Sequence, residues 1–158
     1  MKFSRTWTVP SSTEKVWEVL TDFPLLAQKA LFTKDFVTSE QKVKVGTTFS
    51  EIHYFLGRRG YKGIFTKLIS YSTWELESHP GKGTGFPVFH KVSYSIQPVA
   101  SGTLVVTMVE FKTCLKAGKL VDYMLLPFVY LFALDIHHKI KKICGKSVSQ
   151  PIHHTLFP

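Results

Sequence analysis

The side chains best suited to chemistry in this sequence are one carboxylate and two histidines. Glu51 and His53 are two residues apart in a segment that reads as a strand, so their side chains share one face of that strand. A carboxylate beside an imidazole can act as an acid–base pair if that face lines a cavity. The sequence favours the plainer interpretation of a solvated strand face, because no other motif supports the pair.

His90 is the third candidate, and it lies on the predicted inward face of a later strand together with Tyr94. In that position it could polarise a carbonyl group of a ligand, or it could be a buried histidine whose ring bonds to a neighbour. Metal-ligand spacing is absent: the adjacent His137 and His138 diverge by about 100° on a helix, and His153 lies in an aperiodic tail. We therefore predict no metal site and no cofactor.

Composition describes one ordinary globular domain. The 158 residues are 44% hydrophobic and include 13 Phe, which excludes intrinsic disorder. The formal net charge is +9, but only Arg5, Arg58 and Arg59 are arginines, which argues against sequence-specific nucleic-acid binding. Cys114 and Cys144 are too few for a disulfide framework, and the N-terminus lacks the apolar segment of a signal peptide. We expect a cytoplasmic protein, with peripheral membrane contact as a further possibility.

Periodicity predicts the elements. An alternating strand over residues 3–9 stops at Pro10, a helix capped by Ser11 and Glu14 follows, and a second short helix is expected at 25–32. No helical pattern interrupts the strands that come next, so the sheet should be antiparallel. These six strands are predicted at residues 34–39, 47–56, 61–70, 72–78, 88–97 and 103–113.

A long helix is predicted over residues 119–144, closed by Gly145, so that a single domain covers 1–145 and a tail covers 146–158. Its first half is apolar on every side, and lysines flank it at both ends. The uninterrupted apolar run, 123–134, is too short to cross a bilayer, which takes about 20 residues. An apolar helix between lysines is typical of a surface that docks on anionic lipid. The sequence favours the plainer interpretation of a solvated basic helix end, with the apolar half enclosed by the sheet and the short helices.

Simple geometry predicts a hollow. A helix of about 25 residues is about 38 Å long and about 10 Å wide, whereas seven strands span about 33 Å. One helix cannot cover such a sheet, so a curved sheet around it leaves space that aromatic side chains either line or fill. The sequence leaves both alternatives open.

The order of these elements resembles the START/Bet v 1-like (SRPBCC) superfamily, in particular its polyketide cyclase/dehydrase and lipid-transport branch. The resemblance rests on VWEVLTDF at 16–23, VGT at 45–47, YSIQP at 94–98 followed by SGT at 101–103, and Pro127 within the apolar helix. It covers about residues 1–145 and departs from the family pattern at 27–29 and 140–143. It implies an α+β helix-grip fold: a curved seven-stranded antiparallel sheet around a long C-terminal helix, with two short helices between strands 1 and 2.

We therefore expect a hydrophobic small molecule, lipid- or polyketide-like, as the partner, bound between the sheet and the last helix. The alternatives are a cyclase- or dehydratase-type enzyme and a membrane-surface or partner-binding module. The residues predicted to line the site are Trp74, His90, Val92, Tyr94, Val105, Val109, Phe111, Met124, Phe128 and Phe132.

Overall fold

The first strand, β1 (Lys2–Val9), ends just before Pro10. It leads into two short helices, α1 (Thr13–Thr21) and α2 (Phe23–Lys29). The structure is a computed structural model, and it describes residues 1–30, 33–53, 59–81, 88–113 and 118–146. Six strands and one long helix follow: β2 (Thr33–Thr38), β3 (Thr48–His53), β4 (Arg59–Ile69), β5 (Thr73–Pro80), β6 (Val88–Val99), β7 (Gly102–Thr113) and α3 (Gly118–Lys146).

The seven strands form one antiparallel sheet in the order β1-β7-β6-β5-β4-β3-β2. Consecutive strands from β2 to β7 are neighbours, and β1 closes the far edge against β7. The predicted fold class, a curved antiparallel sheet with two short helices after the first strand and a long helix at the end, is confirmed.

The short helices differ from their predicted bounds because of how they are capped. The N-cap of α1 is Ser12, not Ser11, and its hydroxyl accepts from the Lys15 amide at 3.3 Å. Asp22 ends α1 and also caps α2 by accepting from the Leu25 amide at 3.0 Å, so α2 begins at Phe23 rather than at residue 25. One aspartate thus turns the chain between two helices without an intervening loop.

Burial alternates along the central strands and defines the inner face of the sheet. On β5, Trp74, Leu76 and Ser78 are buried while the residues between them are half-buried. On β3, whose two faces the sequence could not tell apart, Phe49 and Glu51 are the buried side chains. The predicted continuation of this strand to residue 56 lies outside the described residues.

Helix α3 lies on β7 and β1 and buries one stripe of its surface. The buried residues of this stripe are Asp122, Ala133, Ile136, Ile140 and Cys144. Helix α3 as a whole is long and apolar enough to span a membrane, judged by length and composition only. The expectation that it is too short counted only its uninterrupted apolar run. Asp122 fastens the start of α3 by accepting from the Thr113 amide at 2.9 Å.

The middle of α3 packs on β1 through aromatic contacts. The rings of Trp7 and His137 lie 3.8 Å apart between centroids, and Phe3 meets Tyr130 edge-on at 5.4 Å. His137 Nε2 is buried, and it has no hydrogen-bond partner among the residues that the structure describes. Burial, together with the positive charges of Lys141, Arg5 and His138, lowers the pKa of His137 from 6.5 to about 4.

This shift predicts a loss of stability in mild acid. Between about pH 6.5 and pH 4 the unfolded chain binds the His137 proton while the folded chain does not, so the free energy of unfolding falls as pH falls. Because the ring is partly exposed, solvent screening limits the loss to about 1 kcal/mol. His137→Phe keeps the ring contact with Trp7 and should flatten the dependence in urea unfolding between pH 5 and pH 7. His138→Gln, at the exposed neighbouring residue, is the control. If the free energy of unfolding of His137→Phe depended on pH as steeply as that of the unaltered chain, His137 would not be the cause.

Candidate functional site

A cavity of about 250 Å³ lies between the inner face of the sheet, α2 and α3. Most of its wall is apolar. Eight of the ten residues predicted to line the site are among its lining residues: Trp74, His90, Val92, Tyr94, Val109, Phe111, Phe128 and Phe132. Phe128 is 43% exposed, so it stands at the rim and not in the interior.

Two of the ten lie elsewhere. Val105 is fully buried in the hydrophobic core, which also contains Trp7 and Val16, but it does not line the cavity. Met124 is 67% exposed because it projects from the outer side of α3. The apolar first half of α3 carries no polar residue that would distinguish its two sides, so periodicity could not place Met124.

Sequence reasoning missed the contribution of α2 and the neighbouring strand. Phe23, Leu26 and Ala27 of α2 line the cavity, as do Thr33 and Phe36 of β2. The available signal was the second short helix, predicted at 25–32, which includes part of the apolar FPLLA segment of α2. Its position over the sheet depends on the Asp22 cap and could not be read from the local pattern.

The phenylalanines both fill and line the interior. Phe23 packs against Phe36 at 5.3 Å and against Phe65 at 4.8 Å between ring centroids, while Phe36 stacks on Phe49 at 4.9 Å. Phe65 and Phe49 are buried without lining the cavity, whereas Phe23 and Phe36 do line it. The aromatic packing thus closes one side of the interior and leaves a void on the other.

One wall of the cavity is polar, and it contains the three residues singled out for chemistry. Glu51 Oε2 lies 3.1 Å from His53 Nε2, and Glu51 Oε1 lies 3.3 Å from His90 Nε2. Ser78, which is fully buried, donates its hydroxyl to Glu51 Oε1 at 3.3 Å. The interpretation of Glu51 and His53 as a solvated strand face is therefore wrong, since the Glu51 side chain is only 9% exposed.

Sheet curvature brings these residues together. Glu51 and His53 are on β3 and His90 is on β6, with β4 and β5 between them. In a flat sheet, strands three places apart are separated by about 14 Å. Inward side chains converge when the sheet curls, and the Tyr61 ring lies beside both imidazoles, with centroids 5.0 Å from His53 and 5.4 Å from His90.

The electrostatics of this cluster favour an ionised carboxylate. Burial alone would raise the pKa of Glu51, but its close polar contacts and electrostatic interactions with His53 and His90 outweigh burial and hold that pKa well below its usual range. Burial raises the pKa of Tyr94, which stays a neutral phenol on the cavity wall. The cluster can therefore exchange protons or supply one anionic and two imidazole donor atoms inside an otherwise apolar space.

Comparisons with known proteins place the fold. No family model and no curated relative matches the sequence. Among solved structures, a conserved protein from Geobacillus kaustophilus superimposes with a TM-score of 0.73 at 16% identity, covering 93% of this chain and 97% of that one. A START superfamily protein from Mycobacterium smegmatis gives 0.68 at 14% identity, with 90% and 98% covered.

A third similar structure is the di-domain ARO/CYC StfQ from the steffimycin biosynthetic pathway. Its TM-score is 0.74 at 10% identity, and the match covers 94% of this chain and 52% of that one. At such low identities the likeness is one of fold. The chain has the START/Bet v 1-like helix-grip fold, as its sequence resemblance implied.

The buried hydrogen bond from the Ser78 hydroxyl to the Glu51 carboxylate can be compared with a similar hydrogen bond on the outer face of the sheet. There the Thr66 hydroxyl donates to Glu75 Oε1 at 2.7 Å, but both residues are only half-buried. We expect Ser78→Ala to lower the free energy of unfolding by about 1–2 kcal/mol, because it removes a donor from a buried charge. Thr66→Val should cost less than about 0.5 kcal/mol, because water replaces the lost bond. Urea unfolding at pH 7 measures both, and equal costs would show that the cluster is open to solvent.

Proposed function

We propose that the protein binds and carries a hydrophobic small molecule in the cavity between the sheet and α3. The observation that carries this proposal is a void of about 250 Å³ with mostly apolar walls between the sheet, α2 and α3. An apolar cavity of this kind is costly to leave empty, because its lining residues lose contacts, so a site that binds a ligand explains its presence. The START-like fold of the neighbouring structures agrees with a ligand of this type.

The size of the cavity limits the ligand. A void of 150 Å³ lined by aliphatic and aromatic side chains is enough for benzene, so about 250 Å³ suits one substituted ring or a short acyl chain. A longer chain or a multi-ring polyketide-like molecule would extend past the half-exposed Phe128 at the rim. The polar wall formed by Glu51, His53 and His90 would face one end of such a molecule and favours a ligand with a polar group there.

Filling the cavity tests the proposal. Ala133 is buried on α3 and lines the void, so Ala133→Phe should place a ring in the ligand space and weaken binding of the fluorescent probe ANS about tenfold or more. Met124→Phe, nine residues earlier on the outer side of the same helix, is the matched control and should bind ANS like the unaltered chain. Native mass spectrometry of the purified protein should show a bound apolar species that is lost in Ala133→Phe. Equal ANS affinity in both variants would contradict the proposal.

An enzymatic role on the same ligand is the alternative that the polar wall favours. A cyclase- or dehydratase-type reaction needs an acid–base group beside the bound molecule, and Glu51 with the two histidines supplies one. Binding needs only the apolar walls. Glu51→Gln would therefore retain ANS binding in either case and would abolish turnover only if the protein is an enzyme.

A second proposed property is docking on an anionic membrane through the outer face of α3. Leu120, Tyr123, Met124, Phe128 and Leu131 are each 43–67% exposed and recur at helical spacing, which forms one continuous apolar stripe. Steps of three and four residues continue the stripe through the exposed His138 to Lys142, and the exposed Lys119 stands at its other end. The apolar stripe could insert into a bilayer while the basic residues at its two ends contact negatively charged headgroups. A protein docked in this way could take up an apolar ligand from the membrane.

Liposome flotation tests the docking face. The double variant Met124→Ser, Leu131→Ser should lose binding to vesicles of mixed phosphatidylserine and phosphatidylcholine, because it removes the apolar contribution from the centre of the stripe. Val37→Ser with Ile69→Ser removes two equally exposed apolar residues from the strands and should bind like the unaltered chain. Flotation should weaken with salt and with neutral vesicles. A stripe that instead pairs two copies of the chain would give a dimer in size-exclusion chromatography and no flotation, which would contradict docking.

A further inference from the structure

We propose that Glu51, His53 and His90 bind a divalent transition-metal ion at the polar wall of the cavity, and that the preferred ion is Zn²⁺. Among the described residues, one ligand atom from each of the three lies within 4.8 Å of the other two. The sequence prediction of no metal site rested on His137, His138 and the tail. The sheet instead brings together Glu51, His53 and His90, which the sequence had not suggested as metal ligands.

The spacing of the donor atoms fits one small ion. Zinc–nitrogen and zinc–oxygen bonds of about 2.1 Å at tetrahedral angles separate neighbouring ligand atoms by about 3.4 Å. Glu51 Oε2 lies 3.1 Å from His53 Nε2 and Glu51 Oε1 lies 3.3 Å from His90 Nε2, so each imidazole is already at this spacing from one carboxylate oxygen. Since the ligand atoms of the three residues lie within 4.8 Å of one another, small side-chain rotations would bring all three to one ion.

The state of His53 favours a metal over a simple hydrogen-bonded cluster. His53 Nε2 is buried and lies 3.1 Å from Glu51 Oε2, but within the part of the chain that the structure describes this nitrogen has no well-aligned hydrogen bond. A buried ring nitrogen without a partner costs free energy. Coordination through the nitrogen lone pair would satisfy it, and the same ion would balance the buried negative charge of Glu51 in a space that is otherwise apolar.

The surroundings are those of a supported site. The Ser78 hydroxyl holds one oxygen of the Glu51 carboxylate, and the Tyr61 ring limits rotation of both imidazoles. Two nitrogens and one carboxylate are the donors that zinc and ferrous ion take in sites with an open position, whereas Mg²⁺ and Ca²⁺ prefer oxygen alone. Three protein ligands leave at least one coordination position free, and it would face the cavity. A polar group of a bound molecule could occupy it.

Metal titration tests the site independently of the ligand proposal. Protein stripped with a chelator should bind one Zn²⁺ per chain in isothermal titration calorimetry, and Co²⁺ should give the visible absorption bands of a four-coordinate ion. We expect Ser78→Ala to weaken Zn²⁺ binding about tenfold through the carboxylate it orients. Glu51→Gln, His53→Gln and His90→Gln should each weaken it further.

His138→Gln is the matched control, since it removes an exposed histidine from α3 and should leave Zn²⁺ affinity unchanged. Circular dichroism checks that each variant is folded. The Co²⁺ spectrum is recorded on the unaltered chain, so this test does not depend on the folding of any variant. Absence of those bands, or a Glu51→Gln, His53→Gln, His90→Gln triple variant that binds Zn²⁺ as tightly as the unaltered chain, would overturn the proposal. ANS binding is measured on the same samples. Its persistence in the triple variant would separate a failed metal site from a failed apolar cavity.

Discussion

The arrangement of this protein depends on one constraint, which is that a single helix about 10 Å wide must cover one face of a seven-stranded sheet. The sheet meets this constraint by curling around α3, and α2 covers part of what remains. Buried aromatic rings fill one side of the space beneath the helix. The other side stays open as the cavity, so the void follows from the architecture and its size is set by the side chains.

Curvature also explains the chemistry of the cavity wall. It converts residues from strands three places apart into neighbours, which is how Glu51 comes within 3.3 Å of His90. A carboxylate buried among apolar groups needs compensating partners, because desolvation opposes its charge. The two imidazoles and the Ser78 hydroxyl provide them. Such a cluster, placed where a ligand would lie, is more readily explained by function than by stability.

The two sides of α3 differ in a way that matters for both proposals. Its inner stripe, with Asp122 fastened to the end of β7, holds the helix against the sheet and closes the cavity. Its outer side exposes Leu120, Met124 and Leu131 to solvent, which is unusual for a helix that already has a buried face. A ligand entering past Phe128 at the rim would therefore pass next to the exposed apolar surface.

Local sequence patterns determined the element order, the antiparallel sheet and the inward residues of β6 and β7, because alternation and helical spacing are short-range signals. Eight of the ten residues that they predicted to line the site do line the cavity, since residues such as Val109 and Phe111 need only the correct strand face. Met124 was misplaced because an all-apolar helix segment carries no signal for its inner side. The contact of His90 with Glu51 and His53 was decided by the tertiary structure alone. It depends on how far a sheet curls over three strands, and no spacing within one chain segment records that distance.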